Sequence, residues 1–319
     1  LNMAPNGTPF LVSMREDLIK FLPTNNDLKN LDEDIRHLFK SWFNPGFLRL
    51  ERITWETKAA ILEKIIRYEK VHQIKDMSDL KRRLQQDDRR FFAYFHPILK
   101  DEPLIFVEVA FTRGVGRSIQ QLIKPKTNES INYDTATFYS INNCQDGLMR
   151  VTLGNFLIKR VVFEIQQECP KIKHFGTLSP LPGFADWFFS LSGTQLQNIL
   201  KNYDISKLEF LKSPQLKIGD PKIIKEEETL KKLVSHYLIN EKINNKPLNP
   251  VSRFHLGNGA SIYDIIINGN VSDYGYSESF GIMVNYGYQL DKLEHIHEDF
   301  ITKGKISYSE KIKKYVQSK

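Results

Sequence analysis

A chain of 319 residues with 41% hydrophobic and 26% charged residues has the composition of a folded globular protein, which excludes general disorder. It contains no apolar run of about 18 residues, so no transmembrane helix is predicted. Cys144 and Cys169 are too few for a disulfide scaffold or a cysteine-only zinc site, and they suit a reduced, intracellular, soluble protein. The 45 basic and 38 acidic residues give a net charge of +7, which favours an anionic partner. Because acids alternate with the bases, nucleic acid is not favoured.

The first half of the chain is predicted to contain two helices, several strands and one further helix. Apolar residues recur at helical spacing through the first forty residues. From Ser41 the segment WFNPGFLRLERITW has a Pro-Gly pair followed by alternating apolar and polar residues, which predicts a strand. The elements predicted after it are a helix over residues 57–69 and strands over 90–95, 104–111 and 135–141.

The second half begins with a predicted amphipathic helix over residues 154–167, whose apolar stripe includes Val161 and Ile165. A strand over 172–179 follows, and residues 186–249 are predicted to form a helical insertion rich in lysine and glutamate. Strands alternating with helices in this way predict an α/β (α+β) fold with a mixed sheet flanked by helices.

Two short motifs carry candidate chemistry. In HFGTLSPLPGF the strand must stop near Ser179, because Pro180 and Pro182 cannot donate ladder hydrogen bonds. In FHLGNGA, His255 lies in a glycine-punctuated setting. A Ser–His hydrolase is disfavoured, since the G-x-S-x-G elbow is missing and Pro180 has no N–H for an oxyanion hole. A role in which Ser179 donates or accepts a hydrogen bond at a reacting group stays open.

The segment CQDGLMRVTLGN lies between a predicted strand and the helix that begins near Gly154. A turn that opens a helix exposes unpaired N–H groups beside the positive end of the helix dipole, and such a turn binds pyrophosphate well. An ordinary strand-to-helix connection has the same pattern, so both interpretations stay open.

A metal site is the least favoured of the candidates. On a strand His295 and His297 would share a face and could chelate a metal, but Glu298 and Asp299 beside them indicate the exposed part of a helix, where the two histidines diverge. We therefore predict no metal, and expect the remaining histidines to be packed or solvated.

Several longer segments resemble malonyl-CoA decarboxylases. They follow one another in the family's order from about Leu38 to Phe300, and the last three are the most specific. The matching segments are SWFNPGFLRLERITW, AILEKIIRYEKVH, DEPLIFVEVAFT, FYSI, LGNFLIKRVV, TLSPLPGF, FHLGNGA and MVNYGY.

The resemblance implies a catalytic domain with the fold of the GNAT acyltransferases over residues 38–319. Residues 1–37 would be the end of an incomplete all-helical domain through which the protein forms a homo-oligomer. The implied reaction converts malonyl-CoA to acetyl-CoA and carbon dioxide through an enolate, and so controls malonyl-CoA levels in fatty acid metabolism. It needs no cofactor, because the CoA thioester of the substrate is itself the electron sink, and it involves neither nucleic acid nor membrane insertion.

The resemblance also implies roles for individual residues. Ser179 would orient the malonyl group, and His255 would donate the proton, for which its ordinary pKa near 6.5 is suitable. Tyr288 would position the acyl group or the histidine. The CoA pyrophosphate would meet, mainly through backbone groups, the turn formed by Met149, Arg150, Val151, Thr152, Leu153, Gly154 and Asn155.

One position departs from the family's pattern, because Arg150 stands where a glycine is usual. If the backbone there needs a positive φ, arginine costs about 1 kcal/mol or more, although its side chain could instead contact a phosphate.

Two further questions stay open at this level. The C-terminal Gln-Ser-Lys lacks the final leucine of a peroxisomal signal, which leaves mitochondrial matrix, peroxisome and cytosol as alternatives. A GNAT-type N-acyltransferase and a non-enzymatic acyl-CoA-binding protein are the alternative functions.

Overall fold

A computed structural model describes residues 4–124, 132–151, 157–201, 203–213 and 216–316. The α-helices are α1 (Gly7–Phe21), α2 (Leu28–Trp42), α3 (Ala59–Tyr68), α4 (Met77–Gln85), α5 (Ile119–Ile123), α6 (Leu157–Glu168), α7 (Phe184–Ser190), α8 (Gly193–Leu200), α9 (Pro221–Lys225), α10 (Glu227–Ile239), α11 (Pro250–Gly257), α12 (Asp273–Ser279), α13 (Leu293–Lys303) and α14 (Glu310–Val316). Among these helices none combines the length and the apolar character that crossing a bilayer requires.

The strands are β1 (Arg49–Arg52), β2 (Arg89–Phe95), β3 (Pro103–Thr112), β4 (Thr135–Asn143), β5 (His174–Thr177), β6 (Ser179–Pro180), β7 (Lys242–Ile243), β8 (Lys246–Pro247), β9 (Ser261–Ile266) and β10 (Met283–Tyr288). Short 3₁₀ helices lie at Pro45–Phe47, Asp146–Leu148 and Ile205–Lys212.

The chain divides into two compact units, and the first comprises Leu1–Ala110 and Ser140–Pro170. In this unit β2 pairs antiparallel with β1 and with β3. Phe91, Ala93 and Phe95 alternate along β2 onto one face of the sheet, as the two-residue period of a strand requires. They pack with apolar side chains of α3 and α4, including Ile65 and Leu80, and this cluster is the core of the first unit.

The second unit comprises Phe111–Tyr139 and Lys171–Lys319 and contains a mixed sheet. Its β4 runs parallel to β5, with pairs from Thr135 and His174 to Phe138 and Thr177. Its β10 pairs antiparallel with β5, β6 and β9. The predicted fold class, a mixed sheet flanked by helices, is confirmed. The predicted boundary between residues 37 and 38 stays a prediction.

Most elements predicted from apolar periodicity are present, with ends shifted by a few residues. The helices α4, α5, α11 and α12 and the strands β9 and β10 were not predicted. The prediction of a wholly helical insertion over residues 186–249 is wrong near its end, where β7 and β8 form a hairpin. Asn244 and Asn245 connect these strands with φ values of 50° and 60°, the geometry of a tight hairpin turn, and asparagine tolerates it better than most residues.

Candidate active site

Ser179 lies where the parallel pairing of the mixed sheet ends. The β4–β5 pairs stop at Phe138 and Thr177, and Ser179 then begins β6, which pairs with β10. Pro180 follows with no N–H to donate, and Gly183, with a φ of 72°, is the N-cap of α7. The proline and the glycine therefore end the strand and leave the Ser179 side chain at its terminus.

His255 is carried by α11, whose start is well defined. The Asn249 side chain accepts a hydrogen bond from the Ser252 N–H at 2.8 Å, and Pro250 occupies the first turn, where no N–H is required. His255 lies in the last turn, is only 2% exposed, and stacks on Tyr286 with 4.5 Å between ring centroids. The imidazole is thus held in one orientation by the helix and by the ring beneath it.

The structure brings Ser179, His255 and Tyr288 into one hydrogen-bonded row. The Ser179 Oγ lies 2.9 Å from Nε2 of His255, and the Tyr288 hydroxyl lies 2.8 Å from Nδ1. All three side chains are buried. The row occupies both ring nitrogens of His255, as in sites where a histidine transfers a proton. The geometry fits the predicted roles, which stay predictions.

Burial changes the acid–base properties of the row. It lowers the pKa of His255 to about 3, so the imidazole is neutral at pH 7 in the free protein. Burial likewise raises the pKa of Tyr288 well above its ordinary value, which keeps the phenol protonated. The ordinary pKa near 6.5 therefore does not hold for His255 in the free protein, because the charged imidazolium has lost its hydration there.

Thr177 belongs to the same site and was not predicted. The Ser179 Oγ donates a hydrogen bond to the Thr177 Oγ1 at 2.8 Å, and the Tyr286 N–H donates to that oxygen at 3.1 Å. The T-x-S spacing in TLSPLPGF was the available signal, because residues two apart on a strand share a face.

A cavity of about 1180 Å³ lies in the second unit, and Tyr288 is one of its lining residues. Charged and titratable side chains of both kinds line it as well, namely Lys173, His174, Lys292, His295 and Lys305 together with Asp134, Asp291, Asp299 and Glu310. Tyr288 therefore belongs both to the hydrogen-bonded row and to the wall of a space that can admit a ligand.

The predicted pyrophosphate turn is described only in part. Met149, Arg150 and Val151 lie in the described residues, whereas Thr152, Leu153, Gly154 and Asn155 lie outside them. The described part of the helix that follows is α6. Arg150 has a φ of 63°, so the backbone here adopts the left-handed conformation that favours glycine.

Replacing Arg150 with glycine tests two effects of this arginine separately, namely the backbone strain that it causes and the contact that it could make with a phosphate of CoA. We expect the free energy of unfolding to rise by about 0.5–1 kcal/mol, because relief of strain outweighs the greater freedom of glycine in the unfolded chain. If the guanidinium contacts a phosphate of CoA, KM for malonyl-CoA rises about tenfold. Urea denaturation and steady-state kinetics measure the two effects. The control Arg150→Lys keeps the charge and the strain, and a lower stability of the glycine variant than of the lysine variant would contradict the strain argument.

The four residues considered for a metal site all lie on a helix, α13, as expected, but of the two acids only Glu298 is exposed and Asp299 is buried. His295 lies 3.7 Å from Asp299, whereas Nδ1 of His297 lies 2.7 Å from the Gly257 carbonyl oxygen. The two histidines therefore have different neighbours, and within the described residues no group of three or more potential ligands is assembled.

Comparisons with known proteins bear on the family of the chain. The sequence profile of the malonyl-CoA decarboxylase C-terminal domain matches residues 46–319, and that of the N-terminal domain matches residues 1–43. The mitochondrial malonyl-CoA decarboxylase of Anser anser anser is 34% identical over 99% of this chain and 68% of its own length. The Rattus norvegicus enzyme is 34% identical over 96% of this chain and 67% of its own length.

Solved structures give the same result. The malonyl-CoA decarboxylase of Rhodopseudomonas palustris is 43% identical with a TM-score of 0.90, covering 98% of this chain and 77% of that one. The Agrobacterium vitis structure is 43% identical with a TM-score of 0.87, covering 100% of this chain and 78% of that one. The predictions of the family and of an enzyme of the carboxy-lyase class are confirmed. The chain belongs to the malonyl-CoA decarboxylase family.

Proposed function

We propose that this protein converts malonyl-CoA to acetyl-CoA and carbon dioxide, with Ser179, His255 and Tyr288 as its reacting and positioning groups. The buried row that joins these residues at 2.9 and 2.8 Å is the observation that carries the proposal. Family membership supports the same reaction.

The reaction makes few demands on the protein. When the bond between the α-carbon and the carboxylate breaks, its electron pair moves into the thioester, which becomes an enolate, and carbon dioxide leaves. One proton must then reach the α-carbon. The site must therefore orient the carboxylate, stabilise the enolate oxygen and deliver a proton, and the thioester itself accepts the electrons.

Ser179 suits the orienting role. Its hydroxyl is buried at the end of a strand and held by two hydrogen-bond partners, so it has a fixed position against which a malonyl group can bind. Pro180 contributes no N–H beside it, which fits a hydrogen-bonding partner better than an acylated nucleophile.

His255 suits the proton transfer once the substrate is bound. Burial alone lowers its pKa in the free site, and a malonyl carboxylate beside it would raise that pKa because opposite charges stabilise each other. Binding therefore takes up one proton, which makes His255 an imidazolium. After carbon dioxide leaves, the imidazolium gives the proton on Nε2 to the α-carbon and becomes neutral. Charge is conserved, because the charge of the malonyl carboxylate and that of the added proton cancel, while the phosphate charges of CoA are the same in substrate and product.

The CoA part of the substrate is assigned to the turn of residues 149–155. The charge of Arg150 and the dipole of the helix that follows the turn support this proposal, as does the net charge of +7.

Tyr288 is proposed to position His255. Its hydroxyl is hydrogen-bonded to Nδ1 of the imidazole and so fixes the direction in which Nε2 points.

The test is incubation of the purified protein with malonyl-CoA while carbon dioxide and acetyl-CoA are measured together. We expect the two products in equal amounts without any added metal or cofactor. Transfer of an acyl group to an amine without release of carbon dioxide would instead establish an N-acyltransferase. Calorimetric binding of malonyl-CoA with no product would establish an acyl-CoA-binding protein.

A further inference from the structure

We infer that Thr177 is a positioning residue that fixes the neutral tautomer of His255, with the proton on Nε2. The geometry of the free protein carries this inference, and only its catalytic consequence rests on the proposed function.

The first step is the use of the Thr177 hydroxyl as an acceptor. Thr177 is fully buried, and its Oγ1 accepts hydrogen bonds from the Tyr286 N–H at 3.1 Å and from the Ser179 hydroxyl at 2.8 Å. A hydroxyl oxygen has two acceptor positions, and these two donors fill both. In the free protein Ser179 therefore directs its one proton towards Thr177 and away from His255, and this hydroxyl has to turn from Thr177 before it can donate to a bound malonyl group.

The second step follows from the single proton of a serine hydroxyl. Because that proton is used, the contact of 2.9 Å between Ser179 Oγ and His255 Nε2 requires Nε2 to be the donor. A neutral imidazole carries one N–H, so Nδ1 must accept, and its partner at 2.8 Å is the Tyr288 hydroxyl. The proton positions on Ser179, His255 and Tyr288 thus all follow from the Thr177 hydroxyl acting as an acceptor.

The sheet explains why a side chain accepts the Tyr286 N–H. The Asn285 side chain donates to the Thr177 carbonyl oxygen at 2.7 Å, and the Leu178 N–H has turned to the Phe138 carbonyl oxygen at 2.9 Å. The strand leaves its regular ladder here, so the Thr177 hydroxyl satisfies a buried N–H that would otherwise lack an acceptor. The hydrogen bond from the Tyr286 N–H therefore also fixes the position of the Thr177 Oγ1.

The consequence for the proposed reaction is a defined order of protons. Nε2, which faces Ser179, carries a proton before malonyl-CoA binds, and the proton taken up on binding adds to Nδ1 beside Tyr288. After the transfer the remaining proton is on Nδ1, and the resting tautomer returns by exchange with solvent.

The test is ¹⁵N NMR of protein labelled in its histidine rings at pH 7, since the chemical shift separates a protonated ring nitrogen from an unprotonated one. The His255→Asn variant assigns the signals of His255 by their absence. We expect a protonated Nε2 in the wild type. In Thr177→Val the Ser179 proton is released towards Nε2, so the protonated nitrogen becomes Nδ1. Thr177→Ser keeps the acceptor and is expected to restore the wild-type tautomer.

Thr137→Val is the matched control. Thr137 is fully buried in the same unit, and its Oγ1 accepts the Gly116 N–H at 2.9 Å and bonds to Thr112 at 2.8 Å, so this variant loses a comparable hydroxyl. It should leave the His255 tautomer unchanged. A protonated Nδ1 in the wild type, or an unchanged tautomer in Thr177→Val, would overturn the inference. If the tautomer is as inferred but malonyl-CoA yields no carbon dioxide, the proposed function fails while the role of Thr177 stands.

Discussion

Replacing His255 with asparagine is expected to lower kcat for release of carbon dioxide from malonyl-CoA by about 10²–10⁴-fold, the range over which a positioned proton donor contributes. Asparagine can still hydrogen-bond to Ser179 but cannot carry the proton to carbon. Replacing Ser179 with alanine is expected to lower kcat/KM by about 10²–10³-fold, because a fixed hydrogen-bonding group is lost.

His236→Asn is the control for the histidine variant. His236 lies in the same unit and its Nε2 is 3.2 Å from Glu241, so it loses a comparable hydrogen bond away from the row. Wild-type turnover is expected for this control. Equal turnover by the wild type, Ser179→Ala and His255→Asn would remove the roles assigned to both residues.

The pH dependence supplies a second measurement of the same prediction. Burial lowers the pKa of His255 to about 3, so the protonated fraction of the free site falls as the pH rises through neutrality. Because productive binding requires one proton, kcat/KM should fall with rising pH between about 6 and 8, approaching tenfold for each pH unit. A constant kcat/KM over this interval would show that binding takes up no proton.

From the sequence, only those features of the site that depend on a single helix or strand could be predicted. The prolines and the glycine of TLSPLPGF act locally, and they fix where the strand ends and that Ser179 stands there. The meeting of Ser179 with His255 bridges 76 positions of sequence, and that of His255 with Tyr288 bridges 33. These contacts depend on the packing of α11 against β10, so before the structure only the family resemblance placed the three residues in one site.

Other features could not be predicted because they belong to the folded surroundings. The pKa of His255 depends on complete burial, which a sequence position does not reveal. The role of Thr177 depends on the irregular ladder at Leu178. By contrast, the asparagine pair of the β7–β8 hairpin was a local signal, and it was missed because the surrounding lysine and glutamate residues favoured helix.

Replacing Arg15 with methionine is expected to lower the free energy of unfolding by about 3–5 kcal/mol. Arg15 is 1% exposed, and its Nε donates to the Asp32 carboxylate at 2.8 Å. Its Nη1 donates to the carbonyl oxygens of Gly147 and Met149 at 2.7 and 2.9 Å. Methionine fills much of the volume but leaves a buried carboxylate and two carbonyl groups without this partner.

Lys20→Met is the matched control on the same helix. Lys20 pairs with Asp17 at 2.9 Å, but both side chains are more than half exposed, so this change should lower the free energy of unfolding far less than Arg15→Met does. Urea denaturation of the two variants measures the difference. An equal loss of unfolding free energy in both would show that the buried Arg15–Asp32 pair stabilises the protein no more than the exposed pair does. Because Met149 begins the turn assigned to the CoA pyrophosphate, Arg15→Met should also raise KM for malonyl-CoA, whereas Lys20→Met should leave it unchanged. If Arg15→Met lowers the stability but leaves KM unchanged, the hydrogen bond from Arg15 to Met149 does not contribute to the binding of CoA.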